Sequence, residues 1–374
     1  MSSFEVEFLV DLLKIYSPTG QEGKLAKVLC SKMRDLGFEV HIDSAGNVVG
    51  ALRGKGPRVL LCGHMDTVPG FIPVRVESGE IWGRGAVDAK GPLATLVLAA
   101  KKYASTSRRG LDIVVAGVVE EEGSSKGMYH LIDTMEEPDV AIFGEPSGAS
   151  CLTLGYKGGV TFEVVIETEG GHSASPWLFK NSIEEALSLW NELKKVFGAY
   201  ERKDSKFYSL TYCLTSMSGG GASALVPSHC AFKFNVRIPP TLKCREIVRM
   251  VKEVVEDFAS SRSIKASVRW DDCVEAYVLS RTSTVARAFS RAISELGAKP
   301  SFAYKTGTSD MNVAASRWGR AEMAAYGPGD SSLDHTPRER VSVEEYLKSI
   351  DVLSRALWWI ERLKSKVFVS QSSS

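Results

Sequence analysis

The sequence predicts an α/β protein: a central sheet with helices on both faces, interrupted by an inserted α+β sandwich. Three observations predict it. Helix-period and strand-period hydropathy alternate from residue 3 to 144, the texture shifts to strand-rich alternation from about 158, and after about 272 the first texture resumes.

Taken in order, an amphipathic helix is expected over 3–15, an "SPTG" turn follows, and a second helix covers 21–36. Short apolar runs then predict strands at 38–42, 47–52 and 58–63. "DAKGP" opens a helix with Pro92 in its first turn, where a missing N–H costs nothing. Strands are expected at 111–119 and 139–144. In the middle block, "GVTFEVVIETEG", a helix at 181–197, "YSLTYCLTS", "CAFKFNVRI", a helix at 243–259 and "KASVRW" spell a small sandwich with helices on one face. A helix in "TSTVARAFSRAISELG", a strand in "AEMAAYG" and a helix at 343–363 complete the first part. A discontinuous catalytic domain is therefore expected over 1–157 and 270–374, with an inserted domain over 158–269. The terminal "SQSSS" reads as disordered.

Across 374 residues, 46 Lys plus Arg balance 45 Asp plus Glu, so no global field recruits nucleic acid or an anionic membrane. The N-terminus has no cationic leader and no apolar stretch is long enough to span a bilayer, which reads as cytoplasmic. Seven cysteines without a CxxC pair read as small buried hydrophobes, with a disulfide reserved for a hyperthermophilic source.

Metal-competent residues recur where apolar strands stop. "RVLLCGHMDTVPG" ends a strand on His64 and Asp66, and "WGRGAVDAKGP" sets Asp88 in a glycine-rich turn. "VVAGVVEEEG" delivers Glu120, Glu121 and Glu122, "VAIFGEPSG" ends on Glu145, and "YGPGDSSLDHTPRE" presents Asp334 and His335. Each alone has an ordinary explanation: a His–Asp hydrogen bond, turn chemistry, or a solvated acid. Five such events on successive strand ends, with imidazoles and carboxylates but no thiolate, form the donor set of a hydrolytic zinc, manganese or cobalt site. Strand alternation would turn Glu121 and Glu122 to opposite sides.

These motifs resemble the co-catalytic metallohydrolase family that includes carboxypeptidase G, acetylornithine deacetylase, succinyl-diaminopimelate desuccinylase and the aminoacylases. The family order of "HxD", a glycine-rich Asp turn, "EE" before Gly, a strand-end acid and a late His is met along nearly the whole chain. The resemblance implies a metal-binding α/β domain with an inserted lid that forms a homodimer. It also implies two divalent ions, Zn(II) first and Co(II) or Mn(II) as alternatives. His64 and Glu145 would hold one ion, Glu122 and His335 the other, and Asp88 would bridge them. Asp66 would accept the second imidazole N–H of His64, and Glu121 would be the general base. "EGGHSASPW" resembles the lid motif whose His stabilises the oxyanion, which gives His172, and "FNVRIPP" the strand whose Arg grips a carboxylate, which gives Arg237. Where the family often has Asn, "GGGASALVP" has Ala224, so the second half of that clamp departs from the pattern.

"YKTGTSDMN" looks closest to the branch that releases lysine or ornithine from the terminal glutamate of an acidic amino-group carrier protein. That resemblance implies an amino-acid pocket lined by Thr308, Ser309 and Asp310, although "GTSD" would also cap a helix. Lys194, Lys195, Arg202, Lys203 and Lys206 could steer the carrier; a solvated helix face is the commoner meaning. The rival readings are a deacetylase of acetylornithine or acetyllysine, an aminoacylase or a dipeptidase of the same family, and a non-catalytic scaffold on the same fold.

Overall fold

The computed structural model describes residues 3–106, 110–221 and 224–371, with side chains to residue 364. Its contacts divide the chain into two compact units. The first comprises Met1–Gly155, Leu279–Tyr304 and Ser309–Ser374, the second Tyr156–Val278 with Lys305–Thr308. The short Lys305–Thr308 segment, expected with the catalytic domain, belongs to the second unit.

The first unit is built on a sheet whose strands lie in the order Glu39–Ile42, Val48–Leu52, Asp112–Val118, Arg58–His64, Val140–Phe143, Glu322–Ala325 and Cys151–Tyr156. Arg58–His64 runs parallel to both Asp112–Val118 and Val140–Phe143, and Glu322–Ala325 runs parallel to Val140–Phe143. Four carboxyl ends therefore open on one edge. Central strands are buried along their length, as a sheet covered on both faces requires. Neighbouring residues of one strand show the two covers. Cys62 Sγ lies 4.0 Å from Met128 in the helix Lys126–Thr134, while a side chain on Gly63 would press within 3.3 Å of Leu93 in the helix Lys90–Thr106. Alternation thus puts the two helices on opposite faces, and Gly63 lets one of them close on the sheet.

Lys90–Thr106 is apolar almost all round and buried over its first three turns, so it behaves as core rather than surface. Phe4–Leu13 packs against it and is capped by Ser3, whose hydroxyl accepts from Val6 N at 3.4 Å. The C-terminal helix Val343–Gln371 extends beyond the expected 343–363, and Ser372–Ser374 of the "SQSSS" tail lie outside the described residues. A small three-stranded sheet of Arg75–Glu77, Glu80–Trp82 and Arg340–Ser342 was not expected; its strands are three residues long, too short for periodicity to register.

The second unit holds an antiparallel sheet in the order Thr211–Gly219, His229–Ile238, Gly158–Glu167, Lys265–Trp270. Gly158–Glu167 and His229–Ile238 alternate buried and partly exposed residues, so one face is wetter than the other. On the buried side, Phe162, Phe232, Phe234 and Val236 pack with Leu189 and Phe197 of the helix Ser182–Gly198, and with Ile247 and Val251 of Cys244–Arg262.

Cys244 and Cys273 form a disulfide, closing the chain between the start of that second helix and the segment leaving Lys265–Trp270. This corrects the reading of all seven cysteines as plain hydrophobes. A loop with a sequence separation of 29 should contribute about 3 to 4 kcal/mol in the chain-entropy account. Reduction, or Cys273→Ser, is therefore expected to lower the unfolding midpoint by several degrees in scanning calorimetry; equal midpoints with and without reductant would deny the bridge a stabilising role.

Candidate metal centre

In the first unit, functional side chains follow the carboxyl ends of the parallel strands. His64 is the last residue of Arg58–His64, Glu121 and Glu122 follow Asp112–Val118, and Glu145 follows Val140–Phe143. His335 sits after Glu322–Ala325, just beyond a short 3-10 turn at Ser331–Leu333. Asp88 lies in the turn before Lys90–Thr106, and its peptide bond to Ala89 is cis.

These turns bring four side chains into contact around Asp88. Asp88 Oδ1 lies 3.1 Å from His64 Nε2 and its Oδ2 3.1 Å from His335 Nε2, so each oxygen faces a different imidazole. His335 Nε2 is also 2.8 Å from Glu122 Oε1. One donor atom from each of Asp88, Glu122 and His335 fits within 4.8 Å of the others. His64 is buried, and its Nδ1 lies 2.9 Å from the main-chain oxygen of Asp66. With Nδ1 donating there, Nε2 is left to face Asp88.

Asp66 differs in detail from expectation. Its carboxylate oxygen is 3.4 Å from His64 Nδ1, while shorter bonds run to the main chain of the neighbouring turn: Glu121 N donates to Oδ1 and Glu122 N to Oδ2, each at 3.1 Å. Thr19 Oγ1 donates to Oδ2 at 2.9 Å. The glutamates themselves lie past the strand, and Glu120 has φ 60°, so the alternation expected of a strand does not apply to them. Glu120 points elsewhere, accepting from Ser124 Oγ at 2.6 Å.

The electrostatics match this crowding. Burial raises the Glu121 carboxyl well above the usual range, with Asp310, Asp88 and Glu122 adding to it and His64 opposing. Burial likewise raises Glu122, and the charge of Asp88 adds to it. Asp88 is the exception: burial opposes ionisation, but hydrogen bonds from His335 and His64 hold its pKa far below the usual value. His335 is pushed up to about 9, first by its bond to Asp88. Burial works against a charged His64, yet bonds to Asp66 and Asp88 raise its pKa well above normal.

Asp310 is buried at the start of the helix Asp310–Ala315. Burial, with Glu145 and Asp66 adding, pushes its pKa up to about 7 against the field of His64 and a hydrogen bond from Ser125. Ser309 caps the helix Asp310–Ala315: its hydroxyl accepts from Met311 N at 3.3 Å and its N–H donates to Asn312 at 2.9 Å, so the hydroxyl is spent on the cap.

Thr308 belongs to the second unit, where its hydroxyl accepts from Arg237 Nη1 at 2.9 Å. Arg237 lies on His229–Ile238 opposite Gly159 and Thr211. Behind it, the buried Lys157 ammonium donates to Ser209 O at 2.6 Å and Thr211 Oγ1 at 2.8 Å. Burial, with Arg237 second, lowers its pKa to about 8. His172 is exposed on the short strand Gly171–His172; its Nδ1 accepts from Ala174 N at 3.0 Å, which leaves Nε2 carrying the hydrogen. The expected basic run is less basic than it reads. Lys195 pairs with Glu192, Arg202 with Asp204 and Lys206 with Glu201, so local acids offset much of its charge.

Residues 60–359 match the family model described as peptidase family M20/M25/M40. The chain belongs to that family. Among relatives of this M20 chain, a Deinococcus radiodurans protein named LysW-lysine hydrolase is 36% identical over 359 residues, 94% of this chain and 95% of that one. A Sulfurisphaera tokodaii protein named LysW-lysine/LysW-ornithine hydrolase is 29% identical, covering 94% of each chain. A Pyrococcus furiosus protein whose name gives the same activity provisionally is 40% identical over 94% of this chain and 96% of its own. In fold, the chain is similar to an M20 metallo-carboxypeptidase from Sulfolobus solfataricus, with TM-score 0.80 at 18% identity over 96% and 100% of the two chains. It is also similar to a tripeptidase from Staphylococcus aureus, with TM-score 0.83 at 19% identity over 96% and 98%. The M20 chain is a hydrolase of amide bonds, and its family implies divalent metal ions.

The donor set fits such ions. Hard carboxylates and imidazoles converge, Asp88 offers one oxygen to each side, and cations would offset the burial and like charge that raise Glu121 and Glu122. Sequence reasoning missed the groups that hold these turns in place. Glu22 Oε1 accepts from Glu120 N at 3.2 Å, and Glu339, in "DHTPRE", accepts from the Asp88 turn. A buried acid near a ligand was the available signal for Glu339, hidden because burial cannot be read from a charged loop motif.

Removing the Asp66 carboxylate would leave two main-chain donors unsatisfied, at about 1 to 3 kcal/mol each. Asp66→Ala is expected to lower both the unfolding midpoint and the bound metal measured by elemental analysis. Asp66→Asn, which keeps one acceptor oxygen, should lose less of each.

Proposed function

We propose that this M20 chain releases lysine, ornithine or both from the terminal glutamate side chain of an acidic amino-group carrier protein, by hydrolysis of the amide in a cytoplasmic biosynthetic reaction. The observation that carries the reading is full-length similarity to proteins named for LysW-lysine and LysW-ornithine hydrolysis, each covered over more than nine-tenths of its length. Asp310 supports it: a buried carboxylate with no cationic side chain paired to it among the described residues favours a cationic amino-acid side chain.

In this reading His64, Glu145, Glu122, His335 and Asp88 would together hold two divalent ions, His64 and Glu145 on one side and Glu122 and His335 on the other. Zinc suits the mixed donors, with cobalt or manganese as substitutes. Bound divalent ions supply Lewis acidity toward the scissile carbonyl and make water a better nucleophile. Glu121 receives the water proton at its carboxylate and returns it to the departing α-amine. Arg237 meets the carboxylate of the amino acid, with Thr308 holding the guanidinium. His172, whose Nδ1 accepts from Ala174 N and so leaves the hydrogen on Nε2, donates to the developing oxyanion.

The edge of the second-unit sheet supports a homodimer. Thr211–Gly219 is a nine-residue edge strand, "TYCLTSMSG", with no charge and no proline, whereas the opposite edge, Lys265–Trp270, carries Lys265 and Arg269. Its register shifts between Leu214 and Ser216, but an uncharged edge of that length still favours pairing with a second copy.

Glu121→Gln is expected to reduce turnover by about 10² to 10⁴ while leaving bound metal unchanged, and Glu122→Ala to lose metal as well. Elemental analysis beside a turnover assay separates the two. Mass spectrometry of a lysine-loaded carrier, before and after incubation with the metal-loaded enzyme, should show loss of one lysyl mass; cleavage of free N-acetyl-lysine with an unchanged carrier would favour the deacetylase instead.

A further inference from the structure

Glu339 is fully buried, and its two oxygens have different duties. Oε1 accepts from three main-chain amides of the turn that carries Asp88: Gly85 N at 3.0 Å, Val87 N at 2.9 Å and Asp88 N at 3.0 Å. Oε2 accepts from Arg84 Nη1 at 2.8 Å. Arg84 is itself buried and donates through Nε to Gly70 O at 2.9 Å, in the loop that follows Asp66. Glu339 lies four residues after His335 in the chain and binds a turn some 250 residues earlier.

We infer that Glu339 is a positioning residue of the metal centre, tying the Asp88 turn to the chain segment that carries His335. Three amides converging on one oxygen fix the main chain up to Asp88, and the ion pair with Arg84 fixes the acid. A charged acceptor is needed because three donors share it, and charge-assisted bonds are about twice as strong as neutral ones. A glutamine would either place its NH₂ against Arg84 or offer the amides a neutral oxygen. Asp88 faces both His64 and His335, so a shift of its turn disturbs both sides of the centre at once. The inference rests on the metal-centre reading above, but concerns a residue that touches neither substrate nor metal.

The test is titration of metal-free protein with Zn(II) by calorimetry and with Co(II) by visible absorption, on wild type and Glu339→Gln, with circular dichroism to check folding. Tyr346→Phe serves as the control: it removes a buried hydroxyl that donates to Glu5 O at 3.1 Å, in the same unit. Expected are tight metal binding by wild type and Tyr346→Phe, a 10- to 100-fold weaker affinity with an altered Co(II) spectrum for Glu339→Gln, and partial recovery in Glu339→Asp. If wild type and Glu339→Gln bind alike, the positioning role is overturned and the metal centre stands. If wild type binds no metal, both fall. Should Glu339→Gln fail to fold, Glu339→Asp carries the measurement; failure of both to fold overturns the proposal by making Glu339 a requirement of the fold.

Discussion

Like charge concentrated out of water is the constraint on which this molecule turns. Asp88, Glu121, Glu122 and Asp310 are gathered at one end of a sheet, and the fold can hold them only with compensating positive charge or by leaving some of them protonated. His64 and His335 supply part of the answer through Asp88, which alone of the four is driven toward full ionisation. The same frustration that is costly for stability creates affinity for divalent cations. A cluster this poorly neutralised by its own side chains is what a hydrolytic metal site needs.

Main-chain amides neutralise a second set of acids. Glu22, Asp66 and Glu339 each accept from the N–H groups of turns that bear or adjoin the clustered acids. These bonds fix the main chain of turns that bear or adjoin the clustered carboxylates. The parallel strands bring the turns to a common edge, and the supporting acids fix the remaining freedom. Precision at the site thus comes from loops disciplined by buried charge as much as from the sheet beneath them.

Much of this was legible in the sequence because it was written in periodicity and punctuation. The strand at 58–63 and its terminal His64, and the helix opened by "DAKGP", all announce themselves locally and are found as Arg58–His64 and Lys90–Thr106. What escaped depends on tertiary context. Glu120 takes a left-handed conformation that no alternation rule foresees, and Asp66 spends its carboxylate on Glu121 and Glu122 amides rather than chiefly on His64. The alternatives offered for "GTSD" and for the lysine-rich run near 200 were local in the sequence, and the Ser309 cap and the Arg202–Asp204 and Lys206–Glu201 pairs agree with them. The Cys244–Cys273 bridge was invisible because pairing depends on Cα proximity, which spacing alone does not disclose.

His335 and Glu339 follow Asp88 and Glu122 by more than 200 residues. On the ribosome, the early strands can assemble, but their acids must wait for the tail of the polypeptide before the imidazole and the buried brace arrive. A prematurely terminated product therefore carries a reservoir of unbalanced negative charge and no finished cation-binding pocket.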